Sequence, residues 1–331
     1  MDLRRVRDYL YGLWIQQELA KFHDRGGKII MITGSYGKTS VRELTYDLLR
    51  QKYEVVETSR NYNTAVGIAK TLKWELMPTT QWLIIEVGAY RVGEIAEFAQ
   101  WIRPDIGVIT GIARQHLSRF GGWEQIKIAK TELARYIEKN GGVLVANGSD
   151  ETVKELVKNA SWYVGSSREE VNKTAARTIA TECGMSHKEI IDAESHWRSV
   201  PSRFEITTDR YGVRVIDDSY NSNEKSFRQA VEYLGKQNKY ARIIVTPGLL
   251  ELGDESQKIH EELGRVIAKN VDYVILVGKS GRTSAMMRGI GGKQKVVWIN
   301  KTLDFMTAVN DLHTVKEPLV LLENDIPEKE L

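Results

Sequence analysis

A short run of residues near the N-terminus has the makings of a phosphate site. Lys28-Ile-Ile-Met-Ile-Thr33 is a buried-strand pattern that leads directly into Gly34-Ser35-Tyr36-Gly37-Lys38-Thr39-Ser40, and a helix-compatible stretch follows. Strand, glycine turn and helix start bring backbone N–H groups and the positive end of a helix dipole to one point, so a polyphosphate is held with few charged side chains. Lys38 can set its ammonium against the outer phosphates, and Thr39 can offer a hydroxyl to Mg²⁺. The loop is shorter than the general nucleotide pattern, with two residues rather than four between Gly34 and the Gly37-Lys38 pair. Glu86 closes the apolar run Trp82–Glu86, at the edge where parallel sheets bind ligands, and is a hard oxygen donor suited to a magnesium ion that also touches ATP. His116 and Lys130 would each be unremarkable alone; they gain weight from following the same alternation of strands and loops.

The elements that must position these residues follow from the hydrophobic pattern. Residues 1–27 read as an amphipathic helix with Arg4, Arg5 and Arg7 on its polar side; such a helix can lie on a membrane surface, although packing on its own domain is the plainer reading. Apolar runs at Lys28–Thr33, Tyr53–Thr58, Trp82–Val87, Ile106–Thr110, Val143–Ala146 and Trp162–Val164 alternate with helical stretches, among them Glu124–Lys139 as one helix. Runs of that length between helices predict a mostly parallel sheet covered on both faces. Arg168–Glu194 reads as two helices broken at Gly184, and after Pro201 five more strands are expected, at Val213–Ile216, Ile243–Thr246, Tyr273–Val277, Val296–Ile299 and Leu319–Leu322. The fold class is therefore α/β: a P-loop-type central ATPase domain followed by a Rossmann-like domain. The expected divisions are 1–27 (helix), 28–199 (central domain) and 200–331 (C-terminal domain).

Composition narrows the function. The 331 residues carry a net charge of +3, from 47 basic against 44 acidic residues, which gives no support to a nucleic-acid binder. The one cysteine, Cys183, can neither close an internal disulfide nor build a thiolate metal site, so a reducing cytoplasmic setting is expected. No apolar run reaches the length of a membrane span, and no membrane role is expected.

Five stretches in order resemble the Mur ligases, the ATP-dependent amide-forming enzymes of peptidoglycan precursor synthesis. They are Gly34–Ser40; Asn61-Tyr-Asn-Thr-Ala-Val-Gly67; Glu86–Ile95; His116-Leu117 with Ala129-Lys130-Thr-Glu132; and Asp217-Asp-Ser-Tyr-Asn-Ser-Asn223 with Ser226. The last, with Glu251–Ser256 and His260, most resembles the branch that adds D-alanyl-D-alanine. The resemblance implies that Gly34, Ser35, Tyr36, Gly37, Lys38, Thr39 and Ser40 cradle ATP, and that Lys38 contacts the transferring phosphate. It further implies that Thr39 and Glu86 hold one Mg²⁺, and that His116 and Lys130 hold a second. Lys130 matches a lysine carried as a carbamate, which would turn a cation into an oxygen ligand. Asn147 matches an adenine contact, Arg203 a phosphate contact and Asp218 a ribose contact. Asn221, Tyr220 and Asn223 complete that wall, and Asn61 and Asn63 face substrate. Lys38, His116 and Lys130 form the implied catalytic set, with ATP clamped between the two domains.

The implied reaction joins a small-molecule or peptide carboxylate to an amine, D-Ala-D-Ala or an amino acid, through an acyl phosphate. The resemblance thins at the acceptor end. About 27 residues precede the first strand, too few for the separate uridine-binding domain of full-length members, and Gly111 stands where many relatives have asparagine. A non-UDP acceptor, or a partner chain supplying recognition, fits that reduction. A P-loop ATPase acting as a nucleotide-dependent regulator is the alternative from another class; a switch would not need the pairing of His116 with Lys130.

Overall fold

The computed structural model describes residues 3–59, 62–114, 117–197, 206–208, 212–218, 222–292, 294–300 and 304–324. The backbone divides into two compact units, residues 1–112 with 119–200, and residues 113–118 with 201–331.

In the first unit, six strands form one parallel sheet: β1 (Lys28–Thr33), β2 (Val55–Glu57), β3 (Trp82–Glu86), β4 (Ile106–Ile109), β5 (Val143–Asn147) and β6 (Ser161–Tyr163), in the order β2-β3-β1-β4-β5-β6. Their near-continuous Ile, Val and Leu content is what a strand needs when both of its faces are covered. On one face lie the helices Lys38–Leu49 and Arg168–Glu182, which contribute Val41, Leu44, Leu48, Ala175, Ala176 and Ile179 to the core. The other face takes the helix Glu132–Asn140. Its Ile137 and Leu133 sit so close to β4 that a Cβ on Gly107 would lie 2.9 Å from Ile137.

The first helix, Leu3–Asp24, packs on the helices Ala65–Trp74 and Glu94–Ile102. Ile15, Leu19 and Phe22 are buried there, and Gly12 abuts the Trp101 ring so tightly that a Cβ would lie 2.3 Å from it. It is a packed helix of its unit, as the plainer reading expects. No helix among the described residues is long and apolar enough to cross a membrane.

The second unit is a mixed sheet of β7 (Ile206–Thr208), β8 (Arg214–Asp218), β9 (Ala241–Thr246), β10 (Tyr273–Val277), β11 (Lys295–Ile299) and β12 (Pro318–Glu323), ordered β11-β10-β9-β12-β8-β7. Only β7 runs antiparallel, against β8. All three of its residues are exposed, so it carries none of the apolar signal by which the other strands are legible.

The expected helix Glu124–Lys139 is two helices, Trp123–Lys130 and Glu132–Asn140, with a break at Thr131. The Thr131 hydroxyl donates back to the carbonyls of Lys127 (2.9 Å) and Ile128 (3.1 Å), a bond that bends helices. The bend buries both Lys130 and Glu132.

Candidate active site

Parallel register fixes where the polar groups emerge. Ile32 of β1 pairs with Glu86 of β3, and Thr33 pairs with Ile109 of β4, so the glycine turn, Glu86 and Thr110 come off neighbouring strand ends. The chain passes from β3 to β4 across β1, which makes the end of β1 the point where strand order reverses. Ligands settle at such points in open α/β sheets.

The turn requires its glycines. Gly34 (φ 152°) would place a Cβ 2.2 Å from the Thr110 hydroxyl, and Gly37 caps the helix Lys38–Leu49 in the left-handed region (φ 78°). The Ser35 N–H donates to the Gly111 carbonyl (2.8 Å), and the Thr110 hydroxyl donates to the carbonyls of Tyr36 (2.5 Å) and Thr33 (3.2 Å). Gly111 has its own cause: a Cβ there would lie 2.2 Å from Cζ of Tyr36, so the ring of Tyr36 occupies the space a larger residue would take. The Tyr36 hydroxyl donates to Asp150, and burial together with that carboxylate pushes the phenol pKa up, keeping it neutral. Asp150 also accepts from the Ile112 N–H (3.3 Å) and caps the helix Glu151–Leu156 through the Val153 N–H (3.1 Å).

Lys38 donates across the turn to the Gly34 carbonyl at 2.9 Å. The Thr39 hydroxyl donates to Oε2 of Glu86 at 3.0 Å, while the Glu86 N–H donates to the Thr58 hydroxyl at 3.0 Å. These are hard oxygen donors at the lip of a phosphate-type turn, a set that suits Mg²⁺ sharing its shell with phosphate oxygens.

Behind Glu86 is a residue that sequence reasoning missed. Arg42, one turn beyond Lys38, is 2% exposed. Its guanidinium lies 3.7 Å from Glu86, 3.0 Å from Glu57 and 3.2 Å from Glu43, and donates to the Thr58 carbonyl at 2.5 Å. A polar helix residue reads as solvated from sequence. The available signal was the three acids Glu43, Glu57 and Glu86, all due on that side of the unit with no other cation singled out.

Lys130 is buried, with its ammonium 5.6 Å from the centre of the Phe120 ring. Burial, reinforced by the charge of Lys38 and opposed by Glu94 and Glu132, brings its pKa down to about 7. A substantial fraction of neutral amine therefore exists near neutral pH, and neutral amine is the form to which CO₂ adds. Two residues on, Glu132 accepts from the N–H groups of Gly93 (2.6 Å) and Ala96 (2.9 Å), capping the helix Glu94–Ile102 with a carboxylate.

The remaining expected site residues divide as follows. Asn147 is buried, with its amide spent locally: it donates to the Thr110 carbonyl (2.8 Å) and accepts from the Ser149 N–H (2.9 Å). Asn63 accepts from the Gly88 N–H through its backbone carbonyl (3.2 Å). Ser40 is buried in the first turn of its helix. His116, Asn61, Arg203, Tyr220 and Asn221 lie outside the described residues.

In the second unit, Asp218 and Glu323 are register partners on β8 and β12, and both are buried. Ser222 donates to Glu323, Asn324 donates to the Gly248 carbonyl at 2.5 Å, and the Asn223 carbonyl oxygen caps the helix Glu224–Gly235 at the Ser226 N–H (3.1 Å). The Asn223 amide nitrogen is buried with no hydrogen-bond partner among the described residues. His260 accepts from the Leu249 N–H (2.9 Å) and donates to the Ser256 carbonyl (2.6 Å), which fixes a neutral tautomer. Burial and the charge of Arg282 push its pKa down, outweighing those two bonds.

Residues 32–206 match the Mur ligase middle domain, and residues 202–322 match the Mur ligase glutamate ligase domain. A UDP-N-acetylmuramoyl-tripeptide–D-alanyl-D-alanine ligase of Escherichia coli K12 is 27% identical over 320 residues, covering 84% of this chain and 69% of that protein. The protein of the same name from Mycobacterium tuberculosis H37Rv is 30% identical over 312 residues, covering 80% of this chain and 61% of its own length. The crystal structure of the MurF ligase of Thermotoga maritima in complex with ADP superposes with a TM-score of 0.81 at 22% identity, covering 96% of this chain and 80% of that one.

Proposed function

The chain belongs to the Mur ligase family, and on that premise we propose that it is an ATP-dependent ligase. It joins a carboxylate acceptor to an amine through an acyl phosphate, in the synthesis of a peptidoglycan precursor. The observation that carries this reading is the pairing of Thr39 with Glu86 at 3.0 Å beside the glycine turn, with a buried lysine of lowered pKa in the same unit. The names of the relatives supply the substrate classes: a UDP-N-acetylmuramoyl-tripeptide as acceptor and D-alanyl-D-alanine as amine. The cytoplasm is where such substrates and ATP meet.

In this reading, backbone N–H groups from Gly34 to Ser40 cradle the triphosphate, and Lys38 leaves the Gly34 carbonyl to meet the γ-phosphate. Thr39 and Glu86 would hold one Mg²⁺; Lys130, as its carbamate, and His116 would hold a second. Bound there, the ions would neutralise charge on the phosphates and on the acceptor carboxylate. An acceptor carboxylate oxygen attacks the γ-phosphorus and ADP leaves, giving the acyl phosphate. The amine nitrogen then attacks the acyl carbon, inorganic phosphate leaves, and a proton is lost from nitrogen to yield the amide. Lys38 and His116 offset the negative charge that develops at both steps. Asp218 takes the ribose hydroxyls, Arg203 the phosphates, and Asn147, Asn221, Tyr220 and Asn223 the rest of the nucleoside wall. Asn61 and Asn63 meet the acceptor.

The test is ADP release measured with each component omitted in turn. The ligase releases ADP only with ATP, a UDP-N-acetylmuramoyl-tripeptide and D-alanyl-D-alanine all present, and a peptide-bonded product accompanies it. ATP turnover that proceeds at the same rate without acceptor or amine would establish the ATPase alternative instead.

A further inference from the structure

A cavity of about 670 Å³ opens on the first unit at the amino ends of β4 and β5, between Asp105 and Gly142. Gln16 of the first helix lines it, with Gln100 and Arg103 at the end of the helix Glu94–Ile102 and Tyr136 and Asn140 at the end of the helix Glu132–Asn140. The glycine turn and Glu86 come off the carboxyl ends of the same parallel sheet, so this cavity lies at the opposite edge from Lys38. We propose that it is a separate binding site for a small molecule carrying one anionic group on a hydroxyl-rich frame, the chemistry of a sugar acid or a sugar phosphate. The proposal does not depend on the ligase reading.

Arg103 sets the charge of the ligand. Of the residues lining the cavity it is the one cation, and its guanidinium makes no hydrogen bond or ion pair among the described residues. The carboxylate on the same rim, Asp105, is spent on its own frame: it accepts from the Ile29 N–H at 2.8 Å and lies 3.9 Å from the ring of His23. A single open guanidinium suits one carboxylate or phosphate group and not the several charges of a polyphosphate. Its charge also opposes the rise that burial imposes on the Tyr136 phenol, which places the two groups close together. Arg103 ends its helix in the left-handed region (φ 50°, ψ 61°), where glycine is the favoured residue. An arginine there gives up the easier backbone and gains no side-chain partner among the described residues in return, which leaves it for a partner from outside.

The remaining rim groups set the frame of the ligand. Gln16 and Gln100 make no side-chain hydrogen bond among the described residues, and Asn140 donates to the Tyr136 carbonyl at 2.9 Å, keeping its amide oxygen available. Primary amides and a phenol both give and accept hydrogen bonds, which is what a row of hydroxyls requires. The turn that closes the cavity is fixed by backbone. Gly142 (φ 108°) lies so near Asp105 that a Cβ would sit 2.7 Å from its carbonyl, and the Val143 N–H donates to that carbonyl at 2.9 Å. A volume of this order is that of an ordinary small-molecule site.

The experiment titrates the full chain with glucuronate, glucose 6-phosphate and glucose by calorimetry, using the wild type, Arg103→Gly and Tyr136→Phe. At least one anionic sugar is expected to bind the wild type about tenfold more tightly than glucose, and the one that does so identifies the anion as carboxylate or phosphate. Arg103→Gly is expected to remove that preference while its urea midpoint stays at or above the wild-type value, because the left-handed backbone suits glycine. Tyr136→Phe, which keeps the ring and removes the hydroxyl, is expected to weaken the same sugar about threefold. Saturating ADP is expected to leave the affinity unchanged. Glucose binding as tightly as both anionic sugars, a preference that survives in Arg103→Gly, displacement by ADP, or no binding of either anionic sugar at millimolar concentration would each overturn the proposal.

Discussion

The two units present opposite chemistry at the carboxyl ends of their sheets. The first brings cations there: Lys38 on the turn, Arg42 behind it and Lys130 on the broken helix, beside the glycine turn of Gly34 and Gly37. The second brings acids and amides: Asp218, Glu323, Asn223 and Asn324, tied into a web of short side-chain bonds. The same α/β architecture thus produces one edge suited to a polyphosphate and another suited to hydroxyl and amino groups. What differs is the glycine turn after β1, not the fold: the first unit also ends β3 on a carboxylate, Glu86, but pairs it with Thr39 and Arg42.

The comparison breaks first at Lys130. If Lys130 acts as the proposed carbamate ligand, Lys130→Ala is expected to lower turnover by more than about a thousandfold, with added formate or acetate recovering part of it by supplying an oxygen in its place. Asp218→Asn on the acidic edge is expected to act about tenfold, and mainly on KM for ATP. Steady-state kinetics on both would expose a symmetric pair of effects, which would contradict the division of labour between the edges.

Arg42 sharpens the contrast within the cationic edge. Arg42→Met leaves the buried Glu86 and its neighbour Glu57 without their guanidinium, and breaking a buried pair of this kind costs about 3 kcal/mol in urea unfolding. The same change is expected to raise the Mg²⁺ concentration needed for half-maximal ADP binding, because Glu86 loses the group that holds it. Arg42→Lys, keeping the charge but not the forked geometry, is expected to restore the metal dependence in part.

Gly111 gives a smaller effect. Gly111→Ala drives a methyl group into Tyr36, and about 1–3 kcal/mol of destabilisation is expected from overpacking, read from the same unfolding curves.

On the acidic side the smallest effect is one of pH. His260 is held neutral, its folded pKa below the ordinary value near 6.5. The unfolded chain therefore binds the extra proton first. This contribution to stability is complete above about pH 6.5 and is lost as pH falls from there towards the folded value. Thermal melts are expected to fall off below that point in the wild type and to flatten in His260→Gln; parallel curves for the two would show that this imidazole is not the group responsible.

How much of this was legible in sequence follows burial. β1 and β10 span their expected residues because both faces of a parallel strand are covered and the apolar run has sharp ends. β7 was invisible because an exposed edge strand needs no such run. Gly34, Gly37 and Glu86 were legible as chemistry, since a turn before a helix admits few other residue types. Arg42 and Asp150 were not, because besides a local partner each is held by groups far along the chain, Glu57 and Glu86 for Arg42 and Tyr36 and Ile112 for Asp150. The break at Thr131 was hidden by a residue that a helix tolerates, and only the tertiary pull on Lys130 and Glu132 reveals why it is there.

That break ties two places together. Glu132 clasps the first turn of the Glu94–Ile102 helix, while Lys130 sits just across the single intervening residue. The Glu94–Ile102 helix and the backbone that carries the lysine thus share one tether, the Glu132 carboxylate.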